Sequence, residues 1–483
     1  MGEAHLPTLD PAPPVANPNQ LVAELRTILP ADSILTSDEQ QRPFECDALP
    51  IHSAMPLVTV LPDSTAQVQA VMKLCHRLAA PVVFRGAGTG LSAGAMPWPG
   101  GVLLVLTKLD QILAIEPDGL YAVVQPGVRN LAVSEAVADL GLYYAPDPSS
   151  QLACSIGGNV AENAGGVHCL KYGLTVHNVL ALKVVTVTGE LLEVNLEREG
   201  PDLLALLIGS EGLLGVVVEI KVKLRVSPPA VQTLLAAFDK VGDASEAVSR
   251  LIGSGITPAG LEMMDQLALT AAEDFAGAGY PRDAAAILLV ELDGGHGEVE
   301  EELALARRLL QEAGASVRRA RDERERAQFW RGRKSAFPAV GRLFPDYYCM
   351  DGTIPRGAIG AVLDYINQRS AHYQMPVANV FHAGDGNLHP LILFDANVPG
   401  AVAAAQQFGA DILEKCLAVG GTITGEHGVG AEKLNQMASL FNDAELAQLR
   451  RIKQAFDPDG LLNPGKVIPT LKRCQEYRAL RHG

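Results

Sequence analysis

The chain has 483 residues, which corresponds to two or three domains at about 150 residues per domain. Its net charge is −16, and a surface of that sign repels the phosphate backbone of nucleic acids, so we expect no nucleic-acid partner. Charged residues make up 19% and hydrophobic residues 48%. This composition is globular and excludes a disordered chain.

The sequence contains no apparent membrane or secretion segment. No stretch approaches the roughly 18 uninterrupted apolar residues of a spanning helix, and Lys183 interrupts the most apolar run, 179–187. The first residues lack the basic and apolar regions of a secretory signal, so we expect a cytoplasmic protein. The seven cysteines include no CxxC pair, which favours reduced thiols over disulfides or an iron–sulfur cluster on this chain.

The first half of the chain alternates between predicted strands and helices. Ser64 and Gln67 have the spacing of a capping box at the start of a helix. We predict helices over 19–29, 64–78 and 130–140, and strands over 57–61, 81–84, 102–106, 121–124, 179–187 and 216–223. Residues 37–50 have little periodicity and are predicted to be irregular. Pro228-Pro229 marks a domain boundary.

The second half repeats this alternation. We predict strands over 232–238, 285–292, 377–381 and 391–394, and helices over 244–254, 298–313, 325–337 and 401–419. The order β-α-β…β-α-β indicates an α+β sandwich with an antiparallel sheet. No internal repeat of fixed period is apparent.

A glycine-rich loop follows the predicted strand at 81–84. Gly86, Gly88 and Gly90 alternate there and allow backbone N–H groups to converge on an anion, with Arg85 as a nearby cation. A dinucleotide-binding Rossmann loop opens directly into a helix, which the prolines and glycines of 91–101 prevent. We interpret the segment as a pyrophosphate loop of another kind, with an ordinary glycine loop as the alternative.

Two later segments have a similar composition. Small residues and side-chain amides dominate 154–166, and Gly209-Ser210-Glu211-Gly212 precedes the strand at 216–223. Ordering such a backbone costs conformational entropy. We therefore expect a large polar ligand to lie against it.

Two histidines lie in a predicted hairpin of the second half. Asp385-Gly386 is a favoured two-residue turn, and with that turn His382 would lie directly opposite His389. Their Cβ atoms would then be about 5 Å apart, which suits two ligands of one metal ion.

Glu426 and His427 follow in a glycine-flanked segment and can add a carboxylate and a third imidazole. Two histidines and a glutamate also fit a hydrolytic zinc site, so a zinc hydrolase remains an alternative at this point. Arg333, on the helix predicted over 325–337, is either part of a solvated basic face or a fork for a substrate carboxylate.

The glycine-rich motifs of the first half resemble the FAD-binding domain of vanillyl-alcohol-oxidase-type flavoproteins. The motifs are RGAGTGLS, PDPSS, SIGGNVAENAGG, KYGLT and GSEGLLG, in this order. The resemblance implies FAD contacts at Arg85, Gly86, Ala87, Gly88, Thr89, Gly90, Ser92, Pro148, Ser149, Gly157, Gly158, Asn163 and Gly165. Some members bind flavin covalently through a histidine near the first loop. No histidine lies between His76 and His168, so we expect non-covalent FAD.

The second half resembles the C-terminal domain of FAD-linked 2-hydroxyacid dehydrogenases. The motifs are GLEMMD, FWRGRKSAFPAVGR, DYYCMDGTIP, NVFHAGDGNLHP, TGEHGVG and FDPDGLLNPGK. The resemblance implies that His382, His389 and Glu426 hold a divalent metal, zinc or manganese. It further implies that His427 takes the hydroxyl proton and that Arg333 holds the carboxylate. Asn463 matches a segment that returns to the flavin.

The resemblance also implies an activity. We expect hydride transfer from glycolate to FAD, giving glyoxylate, with D-lactate as the alternative substrate and a non-catalytic flavin scaffold as the alternative role. The implied partners are a second flavoprotein-like subunit and an iron–sulfur subunit, on the inner face of the cytoplasmic membrane. The basic residues Lys472, Arg473, Arg478 and Arg481 form either a docking segment or a solvated tail.

Four parts of the chain are expected. Residues 1–55 form an N-terminal segment and helix, 56–228 the FAD-binding domain, 229–455 the substrate domain, and 456–483 a segment that returns to the FAD domain. The fold class is therefore α+β, with a two-part FAD domain and a substrate domain that contains an antiparallel sheet.

Overall fold

The computed structural model describes residues 15, 17–197, 199–470, 474, 476 and 477. The extreme N-terminal residues and the basic residues Lys472, Arg473, Arg478 and Arg481 lie outside this part of the chain. The chain forms two compact units. The first unit comprises Met1–Gly165, Leu174–Val226 and Glu426–Gly483, and the second comprises Gly166–Gly173 and Ser227–Gly425.

The described residues form strands and helices throughout the chain. The strands are β1 (Ile34–Leu35), β2 (Val58–Val60), β3 (Val82–Arg85), β4 (Val102–Val105), β5 (Ile112–Glu116), β6 (Tyr121–Val124), β7 (Leu142–Tyr143), β8 (Val179–Val185), β9 (Leu191–Asn195), β10 (Val216–Lys223), β11 (Arg225–Val226), β12 (Ala230–Phe238), β13 (Gly260–Asp265), β14 (Ala286–Gly294), β15 (Ser316–Arg319), β16 (Asp346–Cys349), β17 (Gly352–Thr353), β18 (Val377–His382) and β19 (Asn387–Phe394). The helices are α1 (Pro18–Ile28), α2 (Asp38–Gln41), α3 (Thr65–Arg77), α4 (Asn130–Val137), α5 (Ile156–Glu162), α6 (Cys169–Tyr172), α7 (Leu203–Leu207), α8 (Val241–Gly253), α9 (Gln266–Ala276), α10 (His296–Glu312), α11 (Glu323–Lys334), α12 (Ala336–Val340), α13 (Ile359–Tyr373), α14 (Ala401–Ala418), α15 (Met437–Leu440) and α16 (Asp443–Phe456).

Among its described residues, the first unit contains a four-stranded mixed sheet, in which β1 is antiparallel to β2, a five-stranded antiparallel sheet and the two-stranded pair β11-β7. The smaller sheet has the order β1-β2-β4-β3, in which β4 runs parallel to both of its neighbours. All four residues of β4 are buried, as expected for a parallel strand that is covered on both faces. The larger sheet has the order β5-β6-β10-β8-β9 and is antiparallel. Burial alternates along β10, so this strand presents one face to the core.

The second unit is built on one eight-stranded sheet. Its order is β15-β12-β14-β13-β18-β19-β16, with β17 paired to β19. Every strand pair in it is antiparallel, which confirms the sheet type predicted for the second half. The central strand β14 is buried along almost its whole length, and helices such as α10 pack on the sheet.

Two predictions about local structure need correction. The segment 37–50 is not wholly irregular, because α2 begins there with a capping box between Ser37 and Gln40. The four residues of α2 are too few for a periodic pattern to show in the sequence. The helix predicted over 325–337 is two helices, α11 and α12, which are separated at Ser335.

All seven cysteines lie among the described residues and are free thiols. Within the described residues, no helix is both long enough and apolar enough to span a bilayer.

Candidate active site

The first glycine loop begins directly after β3 and is tightly packed. A Cβ atom at Gly86 would lie 2.4 Å from the Ser155 Oγ atom, so only glycine allows this approach. Gly88 has φ +73°, and a Cβ there would lie 2.1 Å from Arg85 Nη2. The Arg85 side chain therefore folds back against its own loop, and its Nη1 donates to the carbonyl of Cys46 at 2.6 Å.

The second glycine segment forms helix α5. Ser155 is its N-cap and accepts a hydrogen bond from the Gly158 N–H at 3.3 Å. A Cβ at Gly157 would lie 2.5 Å from the side chain of Pro126, so this glycine is also required by close packing. The helix ends at Asn163, which has φ +54°, a left-handed conformation that asparagine tolerates.

The two glycine segments line one cleft of the first unit. Four predicted cofactor residues are among its lining: Arg85, Gly86, Gly157 and Gly158. A lining with glycines from both segments suits a ligand that lies close to the backbone, such as the pyrophosphate of FAD, because glycine has no side chain in the way.

Ser210 and Gly212 line the same cleft, although neither was predicted as a contact. The signal was present in the sequence, since Gly209-Ser210-Glu211-Gly212 has the same glycine pattern as the other two segments. Gly209 and Gly212 have φ +79° and +73°. A Cβ at Gly212 would lie 3.0 Å from the ring of Phe84, which also lines the cleft.

The other predicted cofactor residues lie elsewhere in the first unit, and most have a structural partner. Ala87, Gly88, Thr89 and Gly90 continue the first loop and are half-buried, whereas Ser92 is buried. Pro148 is buried and Ser149 is exposed. Asn163 Oδ1 accepts from the Val176 N–H at 2.9 Å, the Gly165 N–H donates to Glu426 Oε2 at 3.0 Å, and Asn463 Nδ2 donates to the Glu211 carbonyl at 2.6 Å.

The histidine hairpin has a different register from the predicted one. His382 pairs with Asn387 and His389 pairs with Val380, so the loop has four residues, 383–386, rather than two. The Gly386 N–H donates to the His382 carbonyl at 3.0 Å, and the Asn387 N–H donates to Asp385 Oδ1 at 3.0 Å. The two histidines are therefore diagonal neighbours instead of direct partners.

The corrected register still brings the two imidazoles together. Val380 and His382 point to the same face of β18, and His389 lies opposite Val380 on that face. The two ring centroids are 5.1 Å apart, with the rings edge to face. Both side chains are buried. Two adjacent imidazoles in a buried site form a donor set that suits a divalent metal ion.

A buried carboxylate joins His382 to Arg333. Glu262, on β13, lies 2.8 Å from His382 Nδ1 through Oε1 and 2.6 Å from Arg333 Nη2 through Oε2. Burial opposes ionisation of Glu262, but the charges of His382 and Arg333 and their hydrogen bonds lower its pKa below the ordinary value. Sequence reasoning missed Glu262, because its two partners are remote in the chain.

Arg333 is almost completely enclosed, with 1% of its surface exposed. It lies in the last turn of α11, and Arg326 and Trp330 of that helix both donate to Glu291 on β14. Within the part of the chain that the structure describes, Arg333 Nε and Nη1 have no hydrogen-bond partner. A guanidinium cannot lose its charge, so these two donors are suited to an anionic ligand.

His389 has its own carboxylate neighbour. Its Nε2 lies 3.5 Å from Asp351 Oδ1, and the other oxygen of Asp351 accepts from the Thr424 hydroxyl at 2.6 Å and the Gly425 N–H at 3.0 Å. The ring of Phe337 lies edge to face with His389, at 6.2 Å between centroids. Asp351 was not predicted as part of the site.

Glu426 and His427 belong to the first unit and are half-buried. The Glu426 carboxylate accepts the Gly165 N–H, so it is attached to the end of the second glycine segment. The loop after His427 is held by the carboxylate of Glu211, which accepts from the Val429 N–H at 2.8 Å and the Gly430 N–H at 2.7 Å.

Comparison with known families agrees with this description. Residues 56–195 match an FAD-binding domain, and residues 227–467 match the C-terminal domain of FAD-linked oxidases. The chain belongs to the FAD-linked oxidases. This family assignment establishes a flavoenzyme and removes the zinc-hydrolase alternative.

Among individual proteins, the chain is 58% identical to the glycolate oxidase subunit GlcD of Escherichia coli K12, over 98% of this chain and 96% of that protein. It is 39% identical to GlcD of Bacillus subtilis, over 88% of this chain and 92% of that protein. A D-lactate dehydrogenase of Anaerostipes hadrus is more distant, at 32% identity over 93% of this chain and 97% of that protein.

Solved structures support the fold. p-Cresol methylhydroxylase matches with a TM-score of 0.80 at 17% identity, over 94% of this chain and 97% of that chain. The 4-ethylphenol oxidase of Gulosibacter chungangensis matches with a TM-score of 0.80 at 18% identity, again over 94% and 97%. These likenesses confirm the expected vanillyl-alcohol-oxidase-type fold.

Proposed function

We propose that this protein oxidises glycolate to glyoxylate, with non-covalently bound FAD as the hydride acceptor. The observation that carries the proposal is the 58% identity, over nearly the full length, to a protein named as a glycolate oxidase subunit. The enclosed Arg333, with two guanidinium donors that no described residue accepts, supports a small carboxylate substrate.

The cleft of the first unit would hold FAD. Gly86, Gly157 and Gly212 line it, and their lack of side chains would let phosphate oxygens approach the backbone closely. When bound, FAD supplies the two-electron acceptor for the hydride that leaves the substrate carbon. The remaining contacts predicted along the three glycine segments, and Asn463, stay part of this proposal.

His382, His389 and Glu426 would hold a divalent metal, zinc or manganese. Two imidazoles and a carboxylate are ligands that such ions favour. A bound metal supplies positive charge that lowers the pKa of a coordinated hydroxyl group. Glu262 orients the His382 ring through Nδ1, which leaves Nε2 as the metal-binding nitrogen.

The residues of the chain would perform three tasks. Arg333 binds the substrate carboxylate through Nε and Nη1, because its Nη2 is already engaged by Glu262. His427 accepts the hydroxyl proton as a general base. Fixing the carboxylate would orient the Cα–H bond toward the flavin. This orientation accelerates hydride transfer, because the reacting groups are already held in the required geometry.

D-Lactate is the second candidate substrate, favoured by the similarity to a D-lactate dehydrogenase. The two substrates differ by one methyl group. Phe337 packs against His389 and fills space beside the histidine pair, which favours the smaller hydroxyacid.

The electrons would leave through partner subunits. We propose a second flavoprotein-like subunit and an iron–sulfur subunit, since the similar proteins are named as subunits of an oxidase. The expected location is cytoplasmic, with peripheral attachment of the complex to the inner face of the cytoplasmic membrane.

The visible spectrum of the purified protein, recorded without oxygen before and after glycolate is added, tests the proposal. We expect a yellow protein whose flavin band bleaches with glycolate and more slowly with D-lactate. Bleaching by D-lactate alone would show that D-lactate, and not glycolate, is the substrate. A yellow protein that neither acid bleaches, even after zinc or manganese is added, would favour the flavin scaffold.

A further inference from the structure

A group of charged side chains is enclosed in the first unit. We call it the five-charge cluster and define it as Asp47, Glu162, Glu211, Lys433 and Lys466. Asp47 and Glu162 belong to the segment Met1–Gly165, Glu211 belongs to Leu174–Val226, and the two lysines belong to Glu426–Gly483. Both lysines are almost fully enclosed, with 1% and 2% of their surface exposed. Burying so many charges costs free energy unless the charged groups are paired and hydrogen-bonded.

Glu211 directs its carboxylate at a loop backbone. Oε1 accepts from the Val429 N–H at 2.8 Å and Oε2 accepts from the Gly430 N–H at 2.7 Å. Glu211 itself has φ +50°, a left-handed conformation that is unfavourable for a residue with a Cβ. Its N–H is fixed by the carbonyl of Ala161 at 2.8 Å. Glu211 is buried, has an unfavourable backbone conformation and binds one loop through both carboxylate oxygens. This combination indicates that the conformation of the loop matters for function.

Gly428 lies beneath two of the carboxylates. A Cβ there would come within 2.1 Å of Glu162 Oε2 and 2.9 Å of Glu211 Oε1, and its φ is +81°. Lys433 Nζ donates to the Gly428 carbonyl at 3.0 Å. The peptide groups that follow His427 are therefore held from both sides by charged side chains.

The two glutamates differ in their hydrogen bonds. Burial raises the pKa of Glu162 well above the ordinary value, and the charge of Glu211 raises it further. Burial also raises the pKa of Glu211, but the N–H groups of Val429 and Gly430 oppose this rise. The two loop N–H groups therefore favour the ionised form of Glu211, whereas Glu162 Oε2 has no hydrogen-bond partner among the described residues.

We propose that Glu211 is a positioning residue for His427. Its carboxylate fixes the backbone one and two residues beyond Gly428, and thereby the direction in which the His427 imidazole points. This inference rests on the proposed function, in which His427 is the base. It adds a residue of the GSEG segment that makes no predicted contact with substrate, metal or flavin.

A double-mutant cycle on the full-length holoprotein tests this role. Flavin reduction by saturating glycolate is followed without oxygen in the wild type, Glu211→Gln, His427→Ala and the double variant. Glutamine keeps the size of the side chain but replaces one acceptor with a donor, so at least one of the two loop hydrogen bonds is lost. We expect Glu211→Gln to slow reduction about 10- to 100-fold, the range for a displaced catalytic group. In the His427→Ala background the same change should slow it less than about twofold.

A merely structural role would give equal effects in both backgrounds, and that result would overturn the proposal. FAD content and glycolate affinity are measured in every variant, and we expect both to be retained. If Glu211→Gln fails to fold, Glu211→Asp replaces it in the cycle, since aspartate keeps the charge but shortens the reach. Loss of FAD from both variants would overturn the proposal by assigning Glu211 to the cofactor.

A matched control comes from the second unit. Asp265 also accepts two backbone N–H groups, from Ala268 and Asn379, each at 2.9 Å. Asp265→Asn should slow flavin reduction less than about twofold, because it removes the same kind of bond away from His427. A wild type that glycolate does not reduce would refute the proposed function itself. A wild type that is reduced, together with additive Glu211 and His427 effects, would refute the positioning role alone.

Discussion

Each unit encloses charged side chains, and the two groups relieve that burial differently. In the first unit, the atoms without a hydrogen bond among the described residues include Asp47 Oδ2 and Glu162 Oε2, and carboxylates can become neutral by taking up a proton. In the second unit, these atoms include Nε and Nη1 of Arg333, which cannot lose its charge. A buried carboxylate can therefore have a purely structural role, because protonation removes its charge. A buried guanidinium whose donors lack partners indicates instead a site that binds an anionic ligand reversibly.

Replacing Arg333 should have the largest effect of the variants that compare the two groups of buried charges. Arg333→Ala leaves Glu262 as an enclosed carboxylate without its guanidinium partner, which should cost about 3–5 kcal/mol of unfolding free energy. Glycolate binding should be lost at the same time. Urea unfolding and a glycolate titration of the flavin spectrum measure the two effects.

Two further variants separate stability from binding. Arg333→Lys keeps the charge beside Glu262 but loses the planar fork, so it should recover much of the stability and little of the affinity. Arg319→Ala breaks an exposed ion pair with Glu300 and should cost less than about 1 kcal/mol. Undiminished glycolate affinity in Arg333→Ala would contradict the assigned role of the arginine.

Acid should stabilise the first unit through Asp47. Burial raises the pKa of Asp47 to about 6, against an ordinary value of 3.8. The folded chain therefore binds more protons than the unfolded chain between about pH 4 and 6, so this residue's contribution falls as the pH rises through that window. The two pKa units correspond to about 3 kcal/mol.

Asp47→Asn should remove that dependence. Unfolding free energies of wild type and variant, measured by urea at several values between pH 4 and 7, should diverge as the pH rises, with the variant relatively more stable at pH 7. Parallel curves would show that the pKa of Asp47 is not raised in the folded protein.

A methyl group at Gly428 should disturb the loop that follows His427. Gly428→Ala combines a left-handed φ with a Cβ that would approach Glu162 Oε2, so we expect a loss of about 1–3 kcal/mol and slower flavin reduction. Gly277→Ala is the matched control, because Gly277 has φ +57° with open space around its Cβ. If the two variants lose equal stability and react equally fast, the contact with Glu162 has no effect.

Local patterns in the sequence predicted much of the fold. β10 was predicted with its observed bounds, and its burial alternates with period two as expected for a strand with one face on the core. The first glycine loop was distinguished from a Rossmann loop by the prolines that follow it. The hairpin register was missed because Asp385-Gly386 favours a two-residue turn, whereas Asp385 here caps the Asn387 N–H and a four-residue loop results.

The carboxylates of the site were the hardest to predict. Glu262 lies 120 residues before His382, and Glu211 lies 218 residues before Val429. Both lie in motifs that the sequence analysis singled out, GLEMMD and GSEGLLG, but neither motif indicates which side chains or backbone groups the two carboxylates contact. Their roles arise from contacts between remote segments, which a single sequence does not reveal.

The strand β3, which leads into the first glycine loop, is bordered by a segment from the far end of the chain. The Val82 N–H donates to the Leu461 carbonyl and the Asn463 N–H donates to the Val82 carbonyl, each at 2.8 Å. During synthesis on the ribosome, this sheet edge stays open until residue 463 has emerged, after the whole second unit has been made. The first unit is thus begun first and closed last, and a nascent chain stalled before residue 461 would present an unpaired strand to chaperones.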